Sequence, residues 1–159
     1  MSLQQKQDFT KTKEPKGDNQ ALTKPIFVVQ THSASHLHYD FRLEINGVLK
    51  SWVIPKGPSS DTHDKRLAIE TEDHPLEYAN FEGVIPKGEY GAGTVEIWDK
   101  GTFDNITKKN GEIVPVDQAL KDGHIDIWLD GHKLKGGFTL IFFKKEKNSK
   151  QWLLIKKYQ

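Results

Sequence analysis

His36-Leu37-His38-Tyr39-Asp40-Phe41-Arg42-Leu43-Glu44-Ile45 carries two patterns at once. Leu37, Tyr39, Phe41, Leu43 and Ile45 alternate strictly with His36, His38, Asp40, Arg42 and Glu44, and a period of two marks a half-buried β-strand. One face of the strand is apolar and anchors in a core. The other carries imidazoles, a carboxylate and a guanidinium, where an ordinary solvated strand would show Thr, Lys, Ser or Glu. Such a face is suited to metals, protons or anions.

Strand-length runs recur on both sides of this segment. Ile26–Gln30 precedes it. Asn46-Gly47 is a two-residue hairpin signal, Val48–Ile54 is the return strand, and Pro55-Lys56-Gly57-Pro58 breaks the pairing. Arg66–Thr71 reads as another strand, which Glu72-Asp73-His74-Pro75-Leu76-Glu77-Tyr78 leaves. The glycine-rich Gly83–Gly93 leads into a strand at Thr94–Asp99, ended by an Asp99-Lys100-Gly101 turn. Val116–Lys121 fits a short helix stopped by Gly123. His124–Leu129, Gly137–Phe143 and Gln151–Lys156 supply three more strands, separated by Asp130-Gly131 and by the charged Lys144–Lys150. There is no internal repeat. The pattern predicts an all-β fold, a compact antiparallel β-barrel of about eight short strands with one or two short helices; a sandwich is the alternative. Closure into a barrel leaves no sheet edge exposed.

At 159 residues the chain has room for one domain with a sizeable core. Residues 1–24 are rich in Gln, Lys, Thr and Asp with Pro15 and Gly17 as breakers, so they read as a polar, disordered tail ahead of a barrel domain over 25–159. With 23 basic and 22 acidic residues the net charge is +1. That balance argues against a nonspecific nucleic-acid coat and leaves room for a local positive pocket. The absence of cysteine excludes disulfides, thiolate catalysis and Cys-type zinc sites. A bound metal must therefore be held by His, Asp or Glu, donors that suit zinc, manganese, iron(II) or magnesium. The N-terminus has no apolar leader and no run approaches a membrane span, so a soluble, cytoplasmic protein without membrane contact is expected.

Residues two apart on a strand share a face about 6–7 Å apart, so His38 and Asp40 can converge on one ion. His32 lies an even six residues before His38, and Ser33 and Ser35 allow a bend that brings it in as a third ligand. Two His and one carboxylate would leave coordination positions open for water or substrate. The plain alternative is a set of surface histidines satisfied by solvent. Arg42, next on the same face, has a planar fork that matches two phosphate oxygens; its alternative is a salt bridge to Asp40 or Glu44. Pro75 restricts His74 to extended geometry, which aims its ring as a donor or acid toward a bound phosphate, and Tyr78 is a possible second donor. Lys56 and Arg66 are cations that can line the same pocket or simply be solvated. Gly83–Gly93 lacks a Gly-Lys-Ser/Thr ending and enters a strand rather than a helix, so it reads as a structural turn rather than a nucleotide cradle.

Two blocks carry a more specific signal. FVVQTHSASHLHYDFRLEINGVLKSWVIPKGPS, Phe27 to Ser59, and KRLAIETEDHPLEYANFEGVIPKGEYGAGTVEIWDKGTF, Lys65 to Phe103, resemble the 3′-phosphoesterase domain of the bacterial and archaeal ligase D end-joining system, and the match runs from about Pro25 to Tyr158. The resemblance implies a β-barrel enzyme dependent on manganese, or another divalent transition metal, that heals the 3′ ends of DNA or primer-template junctions. It would remove a 3′-terminal ribonucleoside as a phosphodiesterase, and hydrolyse a 3′-phosphate as a phosphomonoesterase, to leave a 3′-OH. On the same ground His32, His38 and Asp40 match metal ligands. Arg42, His74 and Tyr78 match residues that engage the scissile phosphate. Gln30, Lys56, Arg66, Glu72 and Asp73 fall on positions that support the pocket. Thr31 departs from the basic residue that many relatives carry before His32. No polymerase or ligase sequence is attached, so the chain is either a free-standing member or a piece cut from a longer protein; a free-standing one, a monomer working near the nucleoid, would meet a ligase or polymerase noncovalently. Two rival functions remain from the residues alone. One is a non-haem iron(II) oxygenase using His38, Asp40 and His74; the other is a non-catalytic module that only grips a nucleic-acid end.

Overall fold

Asn46 and Gly47 both adopt positive φ, 54° and 84°, the conformation of a tight hairpin turn, and they fold β2 (Leu37–Ile45) back onto β3 (Val48–Ile54). The computed structural model describes residues 24–88 and 92–158. The tail expected over 1–24 lies outside them apart from Lys24, as do Glu89, Tyr90 and Gly91 of the glycine-rich segment. Around the β2–β3 hairpin run β1 (Ile26–Ser33), β4 (Lys65–Pro75), β5 (Gly83–Ile85), β6 (Gly93–Asn105), the minor pair β7 (Lys108–Lys109) and β8 (Glu112–Ile113), then β9 (His124–Asp130), β10 (Lys135–Glu146) and β11 (Ser149–Tyr158). A 3-10 helix covers Leu76–Asn80, and α1 covers Val116–Asp122.

The strands pair antiparallel in the order β1-β2-β3-β4-β11-β10-β9-β6, and β6 returns to β1, so the sheet closes into an eight-stranded barrel with β5 as an extra strand on β6. Closure decides for the barrel over the sandwich. Inward residues of each strand fill the interior: Phe27, Val29, Phe41, Leu43, Trp52, Phe103, Ile127, Leu129, Phe138 and Leu140 are fully or almost fully buried. Alternation put them there, as the sequence pattern requires. Helix α1 plugs one end with Ala119, and Gly123 stops it at φ 81°, with its N–H on the carbonyls of Ala119 and Leu120.

Three expectations are corrected. Asp99-Lys100-Gly101 is not a turn: β6 runs straight through it. The Asp99 carboxylate instead organises a neighbouring turn, accepting from the N–H groups of His132 at 2.7 Å and Leu134 at 2.8 Å. Gly101 is there because a Cβ would collide with the Asp130 carbonyl. Second, β4 does not end at Thr71 but continues to Pro75. Third, part of the Gly83–Gly93 segment is a strand, β5, and Gly93 at φ 135° passes so close to the Ser33 carbonyl that no Cβ fits.

The polar face of β2 is also not a free outer surface. The 3-10 helix lies over it. Val28, Leu49 and Ala79, with Ile26, Leu76, Tyr78 and Ile97 against them, form a second small apolar cluster outside the barrel wall. Arg42 beneath this cover is only 3% exposed.

Candidate active site

Cross-strand register sets out the site on the outside of β1–β4. His32 pairs directly with His38, Gln30 with Asp40, Asp40 with Val53, Arg42 with Ser51 and Ser51 with Thr71, and paired residues share a face. His32 therefore comes from β1, across the hairpin, and not from the bend at Ser33–Ser35. The His32 and His38 rings sit edge to face with centroids 4.9 Å apart. His32 Nε2 lies 3.2 Å from the Ala92 carbonyl.

His74 reaches the same face through an irregularity. Ser51 pairs with Thr71 but Leu49 pairs with His74, so three steps along β4 match two along β3. The extra residue in the Glu72-Asp73 stretch is a β-bulge. Without it Asp73 would stand opposite Leu49, and His74 would point into the barrel. Pro75 then starts the 3-10 helix that brings Tyr78 over the site.

These residues enclose a cleft of about 350 Å³ lined by His32, His38, Asp40, Arg42, Glu72 and His74, with Tyr78, Thr71, Val53 and Ile85 completing the walls. Candidate ligand atoms of His32, His38 and Asp40 all lie within 4.8 Å of one another, a grouping that no other residues among those described form. Ligands sharing one ion at bonds of about 2.1 Å stand roughly 3–4 Å apart, so modest side-chain rotation completes the set, and two imidazoles with a carboxylate form a donor set for manganese, zinc or iron(II). The residues present fit a divalent metal. The His38–Asp40–His74 triad required by the oxygenase alternative does not assemble: His74 is held against Arg42 instead.

Arg42 is the hub. Its Nε donates to Gln30 Oε1 at 2.7 Å and its Nη1 to Ser51 Oγ at 2.8 Å, while Nη2 lies 3.4 Å from Asp40 Oδ2. Its Nη1 is also 3.1 Å from His74 Nδ1, and its Cζ sits 4.9 Å from the centre of the Tyr78 ring. Burial pulls the guanidinium pKa below its ordinary value, opposed by Asp40, Tyr78 and Glu72. Of its five N–H groups, one on Nη2 remains for a ligand. Gln30, fully buried, connects two parts of the site: its Oε1 takes Arg42, and its Nε2 donates to the carbonyls of Tyr78 at 2.8 Å and Phe81 at 3.1 Å. Tyr78 in turn stacks on Phe81, centroids 5.1 Å apart.

His74 Nδ1 has two competing neighbours, Arg42 Nη1 and the Glu72 carbonyl, each at 3.1 Å. A guanidinium only donates, so in the neutral ring Nδ1 accepts from it and the proton sits on Nε2. Burial, and then the Arg42 charge, push the His74 pKa below its ordinary value. Burial also raises that of the Tyr78 phenol, partly offset by Arg42. The cleft is thus a cation-bearing pocket whose neutral donors, His74 Nε2–H and Tyr78 O–H, remain protonated at neutral pH.

Not every candidate converges. Glu72 lines the cleft, but Asp73 turns away to Lys50, 2.9 Å distant. Lys56 and Arg66 line a separate groove with Asp64 and Lys65; Arg66 Nη2 lies 3.5 Å from Asp64, and its Nε has no partner. Ser51, which holds Arg42, was not singled out from sequence. Its signal was there, as the only hydroxyl in the otherwise apolar outward row of Val48–Ile54.

The family model described as the DNA ligase D 3′-phosphoesterase domain matches residues 30–142. The multifunctional non-homologous end joining protein LigD of Pseudomonas aeruginosa is 46% identical over 156 residues, covering 95% of this chain and 18% of that protein. The multifunctional non-homologous end joining DNA repair protein LigD of Mycobacterium tuberculosis is 45% identical over 148 residues, covering 92% of this chain and 18% of the relative. The LigD of Mycolicibacterium smegmatis is 43% identical over 151 residues. The chain spans less than a fifth of the length of these relatives.

Proposed function

Since the chain belongs to the family of DNA ligase D 3′-phosphoesterase domains, we propose that it is a metal-dependent hydrolase of 3′ ends, acting on DNA or RNA/DNA primer-template termini. It removes a 3′-terminal ribonucleoside or a 3′-phosphate and leaves a 3′-OH. The observation that carries this reading is the adjacency, in one cleft, of a three-ligand metal cluster and a buried arginine with neutral proton donors beside it. An iron oxygenase gives that arginine no necessary phosphate role.

His32, His38 and Asp40 are the residues that would hold the metal, manganese in this reading. When bound it supplies charge to a phosphate oxygen and lowers the pKa of a coordinated water. Arg42 binds a non-bridging oxygen through its free Nη2–H and compensates charge that develops there. His74 presents Nε2–H to the leaving oxygen; once the ring has taken up a second proton, on Nδ1 facing the Glu72 carbonyl, it delivers the Nε2 proton and returns to the neutral imidazole. Arrival of a phosphate dianion offsets the Arg42 charge that otherwise discourages a second proton on the ring. Tyr78 donates its O–H to a phosphate oxygen. Gln30 and Ser51 orient Arg42, and Gln30 also ties it to the backbone of the helix that carries Tyr78. Glu72 presents its carbonyl to His74. Lys56 and Arg66 line their own groove and, in this reading, take a neighbouring phosphate of the strand rather than the reacting one. Such an enzyme works as a single copy in the cytoplasm, on ends destined for a ligase or polymerase of an end-joining pathway. Among the described residues no helix is long and apolar enough to cross a membrane.

The test is direct. Primer-templates ending in one ribonucleotide or in a 3′-phosphate are incubated with manganese, and products are sized and released phosphate measured. Manganese-dependent conversion to a 3′-OH is expected. Binding of the end without turnover would favour the non-catalytic module.

A further inference from the structure

The charged Lys144–Lys150 segment, a mere spacer between strands in the sequence reading, lies at the end of the barrel that α1 plugs. Four lysines and one glutamate fall within seven residues there, against a net charge of only +1 for the chain. A register shift between Phe142 and Lys144 leaves Phe143 out of the ladder, and Phe142 and Phe143 are 36% and 44% exposed. Exposed aromatic faces among lysines are the combination by which proteins hold unpaired nucleotides, rings on bases and ammonium groups on phosphates.

A cavity of about 510 Å³ opens at this end, lined by Lys50, Lys121, Lys150, Phe142, Trp152 and Glu70, with residues of the α1 terminus. Its acidic groups already have partners. Glu70 accepts from Trp152 Nε1 at 3.0 Å, and Asp122 from Gln118 Nε2 at 2.9 Å. Its aromatic wall is fixed: Phe142 N–H donates to the Gly123 carbonyl at 2.9 Å, and the Phe142 ring meets Trp152 edge to face at 5.8 Å. Lys121 and Lys150 are exposed and have no acidic partner within salt-bridge distance among the described residues. The cavity and the cleft are neighbours. Lys50 on its rim holds Asp73, which sits in the β4 bulge between Glu72 and His74 of the cleft.

We propose that this barrel mouth is a second nucleotide subsite, which takes the stretch of polynucleotide leading to the reacting 3′ end. A base lies against Phe142, and the flanking phosphates meet Lys121 and Lys150. The proposal rests on the 3′-end reading of the cleft and deepens it by assigning the path of the strand.

The experiment compares a nucleoside 3′-phosphate with eight-nucleotide DNA and RNA strands ending in 3′-phosphate. In parallel, a labelled octamer with a 3′-OH reports binding by fluorescence anisotropy, which needs no turnover. For the wild type the octamer is expected to have a KM roughly tenfold or more below that of the mononucleotide. Lys121→Glu and Lys150→Glu should each remove most of that advantage, weaken octamer binding by about tenfold, and lower the salt slope of binding by about one. Phe142→Ala should weaken binding about fivefold or more, with little change in salt slope. Loss confined to DNA or to RNA names the strand accepted. A length advantage and an octamer affinity that are the same in all three variants as in wild type would overturn the proposal, whether or not the cleft hydrolyses 3′-phosphates. Absence of hydrolysis in wild type, with variant-sensitive binding, would instead overturn the catalytic reading alone.

Discussion

His38-x-Asp40 on β2 and His124-x-Asp126 on β9 are the same three-residue pattern on the same kind of strand, and they have opposite fates. On β9 the imidazole Nε2 sits 3.2 Å from both Asp126 oxygens. The cross-strand neighbour Thr139 donates its hydroxyl to Asp126 Oδ1 at 2.6 Å, so the carboxylate is already satisfied. On β2 the imidazole and carboxylate stand 3.8 Å apart, the cross-strand neighbour of His38 is another histidine, and the next outward residue is Arg42. Asp40 keeps 13% of its side chain exposed, toward the cleft. A His-x-Asp pair therefore becomes a site or a structural contact according to the strand beside it. The local motif supplies two potential donors in either case, and the neighbour decides whether they meet a third donor or a hydroxyl.

His38→Ala should lower manganese-dependent release of phosphate from a 3′-phosphorylated primer by more than about 100-fold, since it removes one of the three residues proposed to hold the metal. His124→Ala should leave the rate within about twofold, as for most exposed substitutions away from a site. Manganese titrations of both variants distinguish the causes: the midpoint should rise only for His38→Ala. Equal losses in the two variants would mean that the β2 cluster is not where the metal acts.

Much of this was legible from residues alone. The alternation in β2 identified the strand, its polar face and the His38–Asp40 pair on it. Asn46-Gly47 placed a hairpin, and the spacing of the runs pointed to a barrel. What was hidden depended on register. The Glu72-Asp73 bulge, which turns His74 outward, leaves no single-residue mark, because it exists only relative to β3. Likewise β6 skips Trp98 in its pairing with β1, Val29 facing Asp99 and Gln30 facing Ile97, so a sequence that looks like a turn runs on as strand. The burial of Arg42 came from a third source, the covering helix Leu76–Asn80, whose apolar residues are too few to announce what they cover. Lys56 and Arg66 show the converse: correct residue types for a phosphate, placed in another groove.

Whether the neighbours of Asp40 act as a unit can be read from Arg42→Lys. Arg42→Lys keeps the charge but cannot donate to Gln30, Ser51 and Asp40 together, because an ammonium on a flexible stem lacks the rigid fork. Each lost charge-assisted hydrogen bond in this buried setting is worth about 1.5–3 kcal/mol. Chemical denaturation should show a loss on the order of 2–3 kcal/mol, with activity down at least about tenfold. A fully active, equally stable Arg42→Lys would show that point charge alone suffices, and that the Gln30 and Ser51 contacts are incidental.

The smallest effect concerns protons. In the folded protein the His74 pKa is pushed below its ordinary value near 6.5, by burial first and Arg42 second. Between the lowered folded value and about 6.5 the unfolded chain binds the proton and the folded one does not, so stability rises with pH over that interval. The contribution is fully present above about 6.5 and disappears as pH falls toward the folded pKa. His74→Gln, which cannot take up a proton, should therefore flatten the stability profile between about pH 7 and pH 5 relative to wild type, in denaturant titrations at matched ionic strength. Since His74 is partly exposed, solvent screening keeps the difference small. Its sign is what matters: a steeper loss for His74→Gln on acidification would mean that the folded state favours the charged imidazole. The ring would then donate from Nδ1 to the Glu72 carbonyl, and Arg42 would no longer fix the Nε2–H tautomer on which the proton donor of the cleft depends.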